Sequence, residues 1–315
     1  MSIASLAGGL VALFVFRRGL PHVGWIVGYV VVLWLCFTVL TQARAWFEAR
    51  GRHLLVAAGD YTVQTLYHGL LLFILPGYFA STTFDAITAP FFLVLAVAAL
   101  ITTIDPWYRA IVGARPWLGR VFFAFVLFAG LNVALSLVGL RPARALIGGA
   151  LLGPLALLPA DLVIGNAWLR VALRTGLSAA TAGALAWILT PAIPPVPLHL
   201  VSPTMTRAVV DFEPVGVLGS SLSAALLAEG SGLVAYTPVS APAGLQQPIA
   251  HRWRHEGRLV ETVPLPTPVR GGRAAGFRTY SRKTDFPPAA RGRWSVDVVT
   301  AGGQLIGRLR FAVGP

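Results

Sequence analysis

The chain has 315 residues, of which 56% are hydrophobic and only 12% charged, with a formal net charge of +13. A water-soluble globular domain carries about one quarter charged residues, so this chain has too little polar surface to cover itself in water. Its basic excess is almost all arginine, with Lys283 the single lysine, and it divides evenly: 12 basic and 5 acidic residues over 1–200, then 13 basic and 7 acidic over 201–315. In the first part the arginines sit between apolar blocks, where they set topology; nucleic acid is therefore not expected as a partner.

Seven apolar segments follow one another at about 2–16, 21–41, 58–80, 88–105, 119–140, 144–164 and 174–191. At 1.5 Å per residue, six are long enough to cross a hydrocarbon core of roughly 30 Å, and the first is short. The fold class expected is an α-helical polytopic membrane bundle of about seven spans. A classical signal peptide is not expected, because MSIASLAGG lacks a basic start and Arg17 and Arg18 follow the apolar run. Cys36 lies within an apolar block and has no second cysteine to pair with.

Arginine orients the bundle. Arg44, Arg50, Arg52, Arg109, Arg115, Arg120, Arg170 and Arg174 fall in alternate loops; Arg17, Arg18, Arg141 and Arg144 fall in the others. Eight against four makes the first set cytoplasmic and puts the chain after the seventh segment outside the cytoplasm. Small residues at Gly149 and Gly153, and at Gly176, Ala180 and Ala184, offer faces on which helices approach closely, chiefly within one chain.

Within the third segment, His68 stands near mid-span with Tyr61 and Gln64 at helical spacing and Tyr67 beside it. Ionisable groups at such depth are costly and often functional. The Tyr61, Gln64, Tyr67, His68 stripe is thus a candidate intramembrane polar site; the bland alternative is a neutral histidine bonded between helices. Asp60, Asp105 and Asp161 lie near span ends, close in sequence to Arg52, Arg109 and Arg170, and read as interfacial ion pairs.

PAIPPVPLHLVSP (191–203) ends the last segment and reads as a stiff, extended spacer. The organisation expected is 1–191 helical, 192–203 Pro-rich linker and 204–315 a β-domain. Strands are expected at 206–212, 232–239, 249–255, 258–264, 276–283, 293–300 and 304–313, with turns at Glu256-Gly257 and Gly302-Gly303 and a short helix over 220–229. That pattern fits a small antiparallel sandwich.

On a strand over 249–255, His251, Trp253 and His255 share a face, and two histidines four residues apart stand ~13 Å apart, too far to chelate one metal. Arg278, Tyr280 and Arg282 share one face of GFRTYSRK; Phe277, Thr279, Ser281 and Lys283 share the other. His251, Trp253, Arg278, Tyr280, Arg282, Lys283 and Trp294 form the candidate binding surface of the β-domain, for an anionic lipid headgroup or an acidic envelope polymer; the bland alternatives are a Trp253 core anchor with rim histidines and a solvated surface with arginine stacked on Tyr280 or Trp294, and a membrane-protein partner is a further alternative. No hydrolase elbow, phosphate loop, dinucleotide fingerprint or zinc motif is present, so no catalytic residue, metal or cofactor is assigned.

HRWRHEGRLVETVPL (251–265), GGRAAGFRTYSRKTDFP (271–287) and GRWSVDVVTAGGQLIGRLRFAV (292–313) resemble, in that order, the bacterial domain-of-unknown-function family 2914. LYHGLLLFILPGYFAS (66–81), TTIDPWYR (102–109) and FAGLNVAL (128–135) resemble the membrane region of domain-of-unknown-function family 5924. The resemblance implies a bacterial inner-membrane protein with a β-domain, and implies no reaction. The function expected is that of a non-catalytic binding or scaffold protein whose periplasmic β-domain contacts an envelope polymer or protein; the alternative is a transporter or membrane enzyme working on a lipid-linked or small polar substrate at the His68 stripe.

Overall fold

The computed structural model describes residues 23–162, 168–228, 232–287 and 290–314. The first apolar segment, 2–16, lies outside them. Two compact units emerge. One comprises 1–77, 92–138 and 142–189; the other comprises 78–91, 139–141 and 190–315.

The first unit is helical. Its elements are α1 (Val23–Ala49), α2 (His53–Ala80), α3 (Ala89–Thr103), α4 (Asp105–Tyr108) running into a π turn (Arg109–Gly113), α5 (Pro116–Leu137), α6 (Pro142–Leu155), α7 (Leu158–Leu162) and α8 (Trp168–Ile188). Among the described residues, five helices are long and apolar enough to cross a membrane, counting 142–162 as one. A sixth is reached if the pair Ala89–Thr103 and Asp105–Gly113 is one span.

That pair corrects the straight segment expected at 88–105, because it bends by 107°. The cause is local. An α-helix running on through Thr103 would bond the 106 N–H to the Thr102 carbonyl, but Pro106 has no N–H. The chain turns extended at Ile104, and Pro106 opens the next short helix instead.

Small residues set the closest helix contacts. A methyl added at Gly153 would stand 2.7 Å from the Ala124 carbonyl oxygen, and one at Gly149 would stand 3.1 Å from that of Phe128. So α6 lies against the α5 backbone, as the Gly149–Gly153 spacing anticipated. In α8 the buried stripe is Thr175, Ala179, Gly183 and Ala186. Gly176 has open space beside it, and Ala180 and Ala184 are exposed.

The second unit is rich in β-structure. Its strands are β1 (His199–Leu200), β2 (Thr204–Val210), β3 (Glu213–Leu218), β4 (Ser221–Ser223), β5 (Leu233–Tyr236), β6 (Val239–Ser240), β7 (Gln246–Gln247), β8 (Ile249–His255), β9 (Arg258–Pro264), β10 (Val269–Arg270), β11 (Tyr280–Lys283), β12 (Gly292–Thr300) and β13 (Leu305–Gly314), with a short helix α9 (Ala224–Ala228). A four-stranded sheet runs β11-β5-β2-β3 and a five-stranded sheet runs β4-β13-β12-β8-β9; β1 with β6 and β7 with β10 make two small pairs.

The two larger sheets share one core. Met205, Leu233 and Ala235 from the first meet Trp253, Trp294, Val296, Phe311 and Val313 from the second. This is sandwich packing. A second cluster joins Leu198, Val239, Leu245, Ile249, Val298 and Ile306.

Three details depart from the sequence expectation. β3 forms a hairpin with β2 across Asp211 and Phe212, both in the left-handed region, a turn that no glycine announces. Residues 221–223 join β13 in parallel, so the expected 220–229 helix shrinks to α9. The Pro-rich stretch 192–203 is not a free spacer: 193–198 are buried within the β-rich unit, and the Gln304 side-chain amide donates to the Ile193 carbonyl.

Candidate functional site

Two polar constellations stand out, one in each unit.

In the helical unit, α2 carries Gln64 and His68 one turn apart, and both are buried, at 5% and 7% exposure. Gln64 Nε2 donates to the Thr102 carbonyl at 3.1 Å and to Asp105 Oδ1 at 2.8 Å. The carbonyl that Pro106 leaves without a helical partner is thus taken by Gln64. His68 Nδ1 stands 3.2 Å from Thr103 Oγ1. The Thr103 hydroxyl hydrogen goes to the Ala99 carbonyl at 2.9 Å, so the Nδ1–H of His68 donates and Nε2 keeps its lone pair.

Tyr67 is buried and packs edge-on against Phe122, with ring centroids 5.2 Å apart, and near Tyr108. Tyr61 points elsewhere: it is exposed, so the structure brings together Gln64, Tyr67 and His68 but not Tyr61. It adds Thr102, Thr103 and Asp105, which the sequence reading left out or assigned to the surface. The signal available was Pro106, which ends α3 beside them.

The other two aspartates make ion pairs, with partners other than those nearest in sequence. Arg44 reaches Asp60, and Arg120 lies 2.8 Å from Asp161.

In the β-rich unit, four members of the candidate surface are inside it. His251 and Trp253 are fully buried, and Trp294 and Lys283 nearly so. The reason is strand alternation: β8 turns His251 and Trp253 inward together. Their polar atoms are consumed there. Trp253 Nε1 donates to Ser281 Oγ at 3.0 Å, and the Ser281 hydroxyl serves His251 Nδ1 at 2.7 Å. His251 Nε2 meets Thr237 Oγ1 at 2.9 Å, and Thr237 continues to Thr279. Both imidazole nitrogens are satisfied with the ring neutral, and burial holds its pKa down at about 4.

Trp294 donates to the Ala290 carbonyl at 2.7 Å, and His255 stacks on its ring at 4.5 Å. Lys283 Nζ donates to Glu261 at 2.7 Å. These are core anchors, not a binding surface.

Arg278, Tyr280 and Arg282 are exposed. Tyr280 lies opposite Tyr236 and Arg282 opposite Val234 on the edge strand β11, so they share the outer face of the four-stranded sheet. Arg278 pairs with Glu213 of β3. On the same face, at the far edge, Val215 and Val217 are exposed, next to Val210 and the hairpin-tip Phe212. The Tyr236 hydroxyl donates to the Phe212 carbonyl at 3.1 Å and pins that tip. Between these edges Thr206, Val234 and Tyr236 of the same face are buried, so the exposed cationic and aromatic groups lie along one edge and the aliphatic ones along the other.

A third cluster ties the β-rich unit together. Asp297 is buried and accepts from Arg254 at 2.9 Å and from Arg308 at 3.0 Å. Arg308 also reaches Asp85 at 3.3 Å, and Arg310 pairs with Asp85 too. The Asp297 bonds hold the Arg308 guanidinium above its ordinary range. Asp85 lies in the turn between α2 and α3, so this turn is fastened to β13.

Among the described residues, no group of three or more His, Cys, Asp or Glu side chains is placed to hold a metal ion.

Comparison with known families agrees with the architecture. The model of the family of unknown function DUF5924 matches residues 1–231, and that of the protein of unknown function DUF2914 matches residues 246–313. No curated protein and no solved structure matches the chain.

Proposed function

We propose, for this chain, which belongs to the family of unknown function DUF5924, the role of a membrane-anchored binding protein: the helical unit sits in the bacterial inner membrane and the β-rich unit binds an acidic envelope polymer outside the cytoplasm. The observation that carries the reading is the outer face of the four-stranded sheet, with Arg278, Tyr280 and Arg282 at one edge and exposed Val215, Val217 and Phe212 at the other. Arginine pairs with carboxylate and phosphate, while the aromatic and aliphatic groups cover the apolar parts of a ligand.

Three features support the embedding. The helices expose apolar side chains, Leu177 and Trp187 at 70% each. The arginines divide eight to four between alternate ends of the apolar segments. The turns 78–91 and 139–141, which the arginine count assigns to the same side as the chain after the seventh segment, group with 190–315 in the β-rich unit, which supports that orientation.

The test has two steps. An alkaline-phosphatase fusion after Pro203 should be active; a silent one, with an active cytoplasmic reporter at the same site, would overturn the orientation. Crosslinking in native membranes followed by purification should then recover polymer with the wild-type chain and much less with the triple variant R278S/Y280A/R282S. Recovery of the protein alone would overturn the binding role.

A further inference from the structure

The break between α3 and α4 carries an inference that goes beyond the binding role of the β-rich unit and does not depend on it. Hydrogen-bond acceptors outnumber donors there. Pro106 removes one backbone donor, and the carbonyl end of α3, the negative end of its dipole, faces the break at Thr102. Asp105 adds a partly buried carboxylate that, among the described residues, pairs with no Lys, Arg or His; its bond comes from the neutral Gln64 amide. Gln64 spends both its described bonds through Nε2, which leaves Oε1 without a donor among the described residues. His68, buried to a similar degree, presents Nε2 as a lone pair that no described residue serves.

The charged groups facing the break from neighbouring elements are few. On α2, Asp60 lies one turn before Gln64 and is already paired with Arg44 of α1. From α4, Tyr108 contributes a phenol, and Tyr67 of α2 packs near it. Arg109, next along the chain, is exposed. Nothing described supplies a full positive charge to Asp105.

Depth adds to this. α3 has 15 residues and rises about 22 Å, short of the roughly 30 Å of a hydrocarbon core. In an embedded unit the break therefore lies inside the apolar layer, where an uncompensated carboxylate is expensive. Helix breaks at membrane depth, with half-helix carbonyl ends beside polar side chains, are the usual setting for small cations.

We propose that the break between α3 and α4 binds one monovalent cation, an alkali-metal ion or a proton, with Asp105 and Gln64 Oε1 as its oxygen partners and His68 Nε2 as the acceptor when the cation is a proton. The two sources share one requirement, a single positive charge at Asp105.

The test uses the full chain in detergent or nanodiscs and follows its thermal unfolding. Sodium or potassium chloride is titrated against choline chloride at constant ionic strength, and the choline series is repeated across pH. An alkali-metal site gives an upward shift of roughly 3 °C with Na⁺ or K⁺ over choline. A proton site gives no such shift but a pH dependence that Asp105→Asn and His68→Gln each alter. In either case Asp105→Asn should abolish the cation response, and Gln64→Glu, which adds a second carboxylate, should enlarge it. In the His251→Gln background, which removes the pH response of the β-rich unit, absence of any cation or pH response, or a response of undiminished size in both Asp105→Asn and His68→Gln, would overturn the proposal.

Discussion

The two units handle buried histidine in opposite ways. In the β-rich unit His251 has both ring nitrogens occupied, by Ser281 and Thr237, and the chain of hydroxyls behind it ends on backbone carbonyls. In the helical unit His68 has one nitrogen bonded to Thr103, and no described residue serves the other. The units also invert each other in polarity: the β-rich one buries Trp253 and Trp294 and exposes Arg278 and Arg282, while the helical one exposes Leu177 and Trp187 and buries Gln64, His68 and Asn132. The helical unit thus turns apolar side chains outward, and five of its described helices are long and apolar enough to cross a membrane.

The sharpest way to break this comparison is to damage one unit and watch the other. Trp253→Ala should cost the β-rich unit about 3–5 kcal/mol, the range for truncating a large buried aromatic. Near-ultraviolet circular dichroism should lose its tryptophan signal from that unit while the helical far-ultraviolet signal persists. Simultaneous collapse of both would mean that the units are one cooperative body.

The next effect is in pH. The folded-state pKa of His251, about 4, lies below the ordinary value of 6.5. The unfolded chain therefore takes up the proton first. Stability from this group is complete above about pH 6.5 and is lost as pH falls toward 4, by about 3 kcal/mol in all. Denaturant unfolding of the β-rich unit at pH 7 and pH 4 measures it. His251→Gln should remove most of that slope.

A smaller effect is expected in the helical unit. Gly153→Ala puts a methyl against the Ala124 carbonyl, with backbone rather than a flexible side chain to give way. It should cost about 1–3 kcal/mol, seen as a lower unfolding midpoint in detergent. An unchanged midpoint would mean that α6 and α5 separate without loss.

The smallest effect belongs to Asp85→Asn, which releases Arg308 and Arg310. Asp85 is half exposed, so the loss should be about 1 kcal/mol or less and should shrink with added salt. Limited proteolysis of the turn between α2 and α3 is the sensitive readout.

The sequence made some of this legible and hid the rest for physical reasons. Strand alternation placed β8 and β9 at the expected residues and separated Arg278, Tyr280 and Arg282 from Ser281 and Lys283. It offered Trp253 as a core anchor beside the binding reading, but it could not foresee that the hydroxyls of Ser281 and Thr237 take His251 inside as well. Helical spacing brought Gln64 and His68 together. It missed Thr102, Thr103 and Asp105 because they come from another helix, through a bend fixed by the lost N–H of Pro106. Apolar length overestimated the fourth segment for the same reason. β3 escaped notice because its turn uses Asp211 and Phe212 with positive φ, where glycine or asparagine is the usual sign.

One architectural detail bears on inheritance. The β-rich unit is assembled from three separated stretches of chain, 78–91, 139–141 and 190–315. A gene segment cut at 204 would carry both large sheets yet leave behind Val196 and Leu198, which are fully buried, and Asp85, the counter-charge for Arg308 and Arg310. Such a cassette would reach a new host protein with a hole in its core and two arginines short of a partner. A lineage that shuffled the β-rich unit onto other proteins would have to refill those positions, and a lineage that lengthened the turn around Asp85 would alter the β-rich unit from a turn between two helices.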